Sequence, residues 1–217
     1  MFIGHFAVGF GAKKAAPNVS LGTMFISVAF LDLLWPVFLL LGIEHVRVVP
    51  GITAFNPLDL YDYPWSHSLA MAISWSILAG LVYLAARRNG RGALCVGAGV
   101  FSHWVLDFIT HRPDMPAAPG YPGSMGLGLW NSVPGTVIVE GAMYLAGIVL
   151  YLRSTKARDR TGTYGFWALA IFLVVAYILS IISQPPPDQK ALGYGGLSVW
   201  LIILWGYWVD RHREAGT

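Results

Sequence analysis

The sequence predicts an all-α fold: a multi-pass transmembrane bundle of about six spanning helices, with a short re-entrant or interfacial helix ahead of them. Composition is the first observation behind this. The 217 residues are 56% hydrophobic and 12% charged, with a mean hydropathy of +0.59, whereas soluble domains carry about a quarter charged residues. The second is a series of apolar runs, roughly Ser20 to Ile43, His67 to Ala86, Gly92 to Thr110, Gly135 to Leu152, Thr163 to Ser183 and Tyr194 to Val209. Each is close to the roughly 20 residues that cross a hydrocarbon core. The third is the nine Trp and ten Tyr, residues that favour the lipid–water boundary. No internal repeat or linker breaks the pattern, so residues 1–217 are expected to form one integral membrane domain.

In chain order, the first element is the apolar stretch Phe2 to Phe10. No charged region precedes it and Lys13-Lys14 follow, which does not fit a secretory signal. It has about half the length a spanning helix needs. Two readings are open: an interfacial amphipathic helix, or a half-helix that dips into the protein carrying His5. In the first span, Pro36 cannot donate to the carbonyl of Asp32 four residues back, so a kink is expected beside that carboxylate. The long loops after the first and third spans are rich in Pro and Gly, as in Arg112-Pro113-Asp114-Met115-Pro116 and Pro119-Gly120-Tyr121-Pro122-Gly123, and are expected to be shaped but irregular.

The connections sort by charge. Lys13, Lys14, Arg87, Arg88, Arg91, Arg153, Lys156, Arg158, Arg160, Arg211 and Arg213 fall on one side, against Arg47, Arg112 and Lys190 on the other. Eleven against three is a positive-inside pattern. It predicts a multi-pass plasma (inner) membrane protein with both termini cytoplasmic and with Glu44 to Ser66, His111 to Pro134 and Gln184 to Gly193 facing outward. The net charge of +3 and pI near 9.1 therefore read as topology signals, and no nucleic-acid motif is present. The single cysteine, Cys95, cannot form an intrachain disulfide.

The candidate chemistry centres on Ser102 to His111. Side chains four apart share a helix face, so His103, Asp107 and His111 are expected to form one polar stripe in an apolar segment. Taken singly, a satisfied core histidine explains His103, and a helix ending before the loop explains His111. Other ionisable residues join them in the spans: Asp32, His67 and Glu140, with His5 nearby, and no Lys or Arg in any span interior. At about 1.5 Å rise per residue, Asp32, His103 and Glu140 lie roughly 16 to 18 Å from the cytoplasmic end of their spans. Asp107 lies at about 22 Å, His67 at about 28 Å and a re-entrant His5 at about 12 Å.

Embedded carboxylates pair with a base, stay protonated, or face water or an ion. Without a basic partner, a bound cation is the economical explanation. The expected metal ligands are His5, Asp32, His67, His103 and Asp107. Imidazole and carboxylate donors without thiolates suit one to three divalent ions, zinc foremost, with manganese or iron as alternatives. An open coordination position would carry a water with a pKa of about 7. Glu140, Asp32 and His111 are the candidates for bridging ligand or general base, and Glu140 alternatively for a partner that fixes an imidazole. Asn131 is a candidate to orient substrate or to cap the following helix; His45 and His212 read as surface residues.

His5, Asp32, the Trp65-Ser66-His67-Ser68 segment and His103-Trp-Val-Leu-Asp107 resemble the ordered motifs of the YdjM-like membrane-bound metal-dependent hydrolases, over about Met1 to Glu140. That family is distantly similar to zinc-dependent phospholipases C and related zinc nucleases, whose ligands include a His-x-x-x-Asp pair. The resemblance implies a di- or trinuclear site that cuts phosphoesters. The chain departs from the pattern at Asp32, which lacks an acidic Pro-Asp-x-Asp loop, and at Asp62-Tyr-Pro-Trp, which replaces a basic segment. The expected function is a membrane-embedded metal-dependent hydrolase acting on a lipid or other amphiphile. The alternatives are an ion-coupled transporter relaying through Asp32, Asp107 and Glu140, which the missing repeat disfavours, and a structural membrane protein stapled by metal.

Overall fold

The computed structural model describes residues 1–216. Its helices are α1 (Ile3–Ala15), α2 (Leu21–Val28), α3 (Phe30–Leu41), α4 (Pro64–His67), α5 (Leu69–Arg87), α6 (Gly90–Thr110), α7 (Val133–Ser154), α8 (Arg160–Ile182), α9 (Gln189–Gly196) and α10 (Val199–Arg211). Polar side chains open most of them: Ser20, Ser68, Asn89, Ser132, Asp159 and Asp188 each accept a backbone amide of the first turn. Such caps satisfy amides that have no carbonyl partner within the helix. Among the described residues, five helical stretches are long and apolar enough to cross a membrane, six if the bent pair α2–α3 is one span. The chain is a multi-pass helical bundle, as its composition requires.

Three expectations about local structure are corrected. The first span breaks at Ala29, where α2 and α3 meet at 57°, and Pro36 lies inside α3. Ala29 leaves the helical region (φ −103°, ψ 7°), and the carbonyl of Val28 just before it accepts from His103 Nδ1 at 2.7 Å. A side-chain donor thus meets a carbonyl at the break, the condition under which a membrane helix can be interrupted. The last span begins earlier than expected, with α9 and α10 running together over Gln189–Arg211. The outer loops contain antiparallel ribbons rather than only irregular chain: β1 (His45–Val48) with β2 (Leu58–Asp62), and β3 (Met115–Pro116) with β4 (Gly123–Met125). Covering a site buries loop backbone, and pairing satisfies its amides; Val46 and Leu60 turn inward from the first ribbon and are buried. A third ribbon, β5 (Thr155–Ala157) with β6 (Arg213–Ala215), ties the end of α7 to the C-terminal segment.

α1 is the element on which the site depends. Ile3, Phe6, Ala7 and Phe10 are buried in the main core with Phe25, Tyr144, Ile148 and Phe166. Gly147 of α7 lies so close to the Ala7 backbone that a Cβ there would overlap it, and a Cβ at Gly9 would meet the Phe25 ring at 2.9 Å. Close helix approach through small residues is the usual packing device in lipid. The half-helix reading of α1 therefore holds over the interfacial one. Its far end is tied down by Lys13, whose Nζ donates to the carbonyls of Pro17 and Val19 at 3.0 and 2.9 Å and pairs with Asp210 at 2.9 Å. A cation there also complements the helix C-terminus.

α5 is the opposite case. It packs on α6, where Ser76 Oγ donates to the Gly97 carbonyl at 2.6 Å and Gly80 approaches the Ala93 carbonyl. Its Ile77, Leu81 and Val82 are exposed, as expected of a helix whose other faces meet acyl chains.

Candidate metal centre

α6 contributes His103 and Asp107, α1 contributes His5, α4 contributes His67, and α3 contributes Asp32. His5, His67, His103 and Asp107 are buried. Their orientation is fixed from behind. His103 Nδ1 donates to the Val28 carbonyl, which leaves the Nε2 lone pair pointing into the site. His67 Nδ1 lies 2.7 Å from Ser66 Oγ.

The Nε2 atoms of His67 and His103 and one oxygen each of Asp32 and Asp107 then face one another. His67 Nε2 is 3.6 Å from Asp32 Oδ1 and 3.7 Å from Asp107 Oδ2. His103 Nε2 is 3.7 Å from Asp32 Oδ1 and 3.0 Å from Asp107 Oδ2. Three of these separations are too long for hydrogen bonds, and His103 Nε2 is buried without a hydrogen-bond partner. Donors bound at about 2.0–2.2 Å to a tetrahedral ion stand roughly 3.3–3.6 Å apart, close to the three longer separations, while the His103–Asp107 separation is that of a direct contact. A second donor group, His5, His103 and Asp107, overlaps the group of Asp32, His67 and His103 at His103. The His5 ring stacks on His103 at 3.7 Å between centroids, its Nε2 lies 3.1 Å from Asp107 Oδ1, and its Nδ1 is buried without a partner. Asp107 thus faces His67 and His103 through one oxygen and His5 through the other.

The remaining candidates stand differently from what the sequence suggests. Asp107 Oδ1 also lies 2.5 Å from the Met1 nitrogen, while no Lys or Arg side chain reaches it among the described ion pairs. Glu140 lies outside both donor sets. Its Oε2 accepts the amides of Phe2 and Gly4 at 2.9 and 3.0 Å, which holds the N-terminus of α1, and with it His5, in place; Oε1 is buried without a partner. A carboxylate at a helix N-terminus is doubly suited, by hydrogen bonding and by dipole.

His111 does not extend the His103–Asp107 stripe. α6 ends at Thr110 and His111 is extended (φ −64°, ψ 146°). Its ring lies 4.3 Å from Trp130, and Nδ1 is 3.2 Å from both Asp114 Oδ1 and Tyr63 Oη. Tyr63 Oη donates to Asp114 at 3.0 Å; burial, then the Asp114 charge, hold the phenol well above its ordinary pKa. Arg112 pairs with Asp114 at 3.0 Å and with Asp59. Asn131 does not cap α7, since Ser132 does. His45 and His212 pair with Asp62 and Asp159, away from the site.

A cavity of about 570 Å³ opens from this centre. Asp32, His67, Asp107, Glu140 and His111 line it, and Trp35, Phe55, Leu192 and Ile181 give it apolar walls. Asp32 is the most open member, with 38% of its side-chain surface free. Sequence reasoning missed Glu44, Tyr63 and Asp114. Glu44, directly after α3, is fully buried and accepts the amides of Trp65 and Ser66 and the Ser66 hydroxyl. Burial pushes its carboxyl pKa up, while the Ser66 hydroxyl and amide work against that shift.

The family model of the YdjM inner membrane proteins matches residues 64–187, more than half of the chain. The chain belongs to this family. The matched segment carries His67, His103, Asp107, His111 and Glu140. It begins later and ends later than the stretch Met1 to Glu140 over which the resemblance was expected, so His5 and Asp32 fall outside it. No curated protein and no solved structure matches the chain significantly.

Proposed function

We propose that this YdjM-family membrane protein is a metal-dependent hydrolase that cleaves a phosphoester, or another ester or amide bond, in a lipid or amphiphile. The observation that carries the reading is the set of facing atoms from His67, His103, Asp32 and Asp107, with histidine-to-carboxylate separations of 3.0–3.7 Å and His103 Nε2 buried without a hydrogen bond. Asp32, His67 and His103 would hold one divalent ion, zinc by donor type, and Asp107 would serve with His103 and His5 in the overlapping group. A bound ion would supply Lewis-acid polarisation of the scissile group and a water acidified toward neutral pH.

The chain's own residues do the rest. Val28 and Ser66 hold the two imidazoles in the donor geometry. Asp114 and Tyr63 occupy Nδ1 of His111, leaving Nε2 as the nitrogen that exchanges a proton with a leaving group in the cavity. Apolar walls beside a polar floor suit a molecule with a cleavable head and a hydrocarbon tail.

Both termini are cytoplasmic in this reading, so the cavity faces outward. Cysteines introduced at Asn89 and Gly123 in a Cys95-free background should then label from opposite sides of the membrane; labelling from the same side rejects the orientation. The reaction itself is tested by screening phospholipids, lipid phosphates and acyl esters or amides in vesicles. Turnover that stops on chelation and returns with divalent metal supports the proposal. Absence of turnover together with a solute or proton flux that depends on Asp107 replaces it with the transporter reading.

A further inference from the structure

We infer that Glu44 governs which ring nitrogen of His67 carries the proton, acting from outside the candidate metal centre through the Ser66 hydroxyl. The inference rests on the reading of that centre as a metal site and makes Glu44 a positioning residue for one of its ligands.

The argument is a count of protons. Glu44 Oε1 accepts from the amides of Trp65 and Ser66 at 2.7 and 2.8 Å. These amides open α4 directly behind Pro64, in a turn too short to satisfy them internally. Glu44 Oε2 accepts from Ser66 Oγ at 2.6 Å. A hydroxyl has one proton to give. With that proton on Glu44, Ser66 Oγ can only accept at its second short contact, the 2.7 Å one to His67 Nδ1. Nδ1 must then be the protonated nitrogen. Nε2 keeps its lone pair, and it is Nε2 that faces Asp32 and Asp107 at 3.6 and 3.7 Å.

Serine alone would not impose this direction, because it donates or accepts equally well. The carboxylate does, because an ionised carboxylate only accepts. The other pure acceptor near the hydroxyl, the Tyr63 carbonyl, lies at 3.5 Å, too far to compete with the 2.6 Å contact to Glu44. His103 reaches the same state by a shorter route, through the Val28 carbonyl, another pure acceptor. The two imidazoles that face Asp32 are thus both backed by acceptors, although one comes from a helix break and the other from a loop acid.

Glu44→Gln is the discriminating variant. The glutamine oxygen can keep the two amides of α4, but its NH₂ group must donate to Ser66 Oγ. The hydroxyl then turns its proton toward His67 Nδ1, which places the imidazole proton on Nε2, facing the carboxylates. In ¹⁵N-histidine-labelled protein, the His67 tautomer should switch from Nδ1–H to Nε2–H. Co²⁺ affinity, measured by competition with a chelator, should fall about 10- to 100-fold, the usual range for loss of a partner behind a ligand. Ser66→Ala should weaken Co²⁺ binding by a similar factor, and the double variant should be no worse than either single one, because all three interrupt one chain.

If Glu44→Gln keeps both the Nδ1–H tautomer and wild-type Co²⁺ affinity while only lowering Tm, Glu44 merely caps α4 and the inference is overturned. If the wild-type protein binds no Co²⁺, the metal reading fails, and the tautomer switch in the metal-free protein still decides the role of Glu44.

Discussion

Replacing Asp107 by alanine is expected to strip divalent metal from the purified protein and abolish hydrolysis. Asp107 faces His67 and His103 through one oxygen and His5 through the other. Removing a partner behind a ligand costs about 10- to 100-fold in affinity, so removing the ligand itself should exceed about 100-fold. The bundle should still fold, because α6 is held by Gly97 against α5 and Gly99 against Ser27, contacts that do not involve the carboxylate. Circular dichroism and elemental analysis on the same sample separate loss of metal from loss of fold. A folded variant with full metal content contradicts the assignment.

His111→Gln is expected to lower kcat by about 10²- to 10⁴-fold, the usual range for a general acid or base, while leaving metal content unchanged. Glutamine can hydrogen-bond to Asp114 and Tyr63 but cannot exchange a proton at the pH of the reaction. His111 lies outside both donor sets, and the Tyr63 ring lies 6.0 Å from it and 5.4 Å from His67. If activity and metal are lost together, His111 is a ligand; if neither changes, the proton passes elsewhere. The pH–rate profile adds a second check, since the variant should lose one limb of a bell-shaped curve.

The helical bundle was legible because lipid imposes a length and a composition on every span. The pairing of His103 with Asp107 was legible because a four-residue spacing on one helix fixes it. His5 could be placed only as an alternative, since whether a short apolar segment lies on the membrane or inside the protein depends on what encloses it. Here Gly147, close against the Ala7 backbone, is part of that enclosure. Pro36 pointed to a kink that formed instead at Ala29, next to the carbonyl that meets His103. No residue type at Ala29 signals a break; the signal lies in a partner 75 residues away.

Glu140 was legible as an acid at the right depth, but not as the anchor of the α1 amides, because its partners are 136 and 138 residues distant. Glu44 was hidden for a similar reason. It follows a span, where an acid ordinarily meets water, and its burial arises from a turn 22 residues on. The hint available was that Trp65-Ser66-His67-Ser68 follows a proline, whose turn would leave amides seeking an acceptor.

Metal content per folded chain is the measurement that tests the central claim most directly. The protein, purified in detergent without chelator and then dialysed against trace zinc, should retain at least one divalent ion per chain by mass spectrometry of the elements. His103→Ala and Asp107→Ala, prepared alongside and shown by circular dichroism to be equally helical, should each retain much less. A helical wild-type protein that holds no metal, or variants that hold as much as the wild type, would contradict the account.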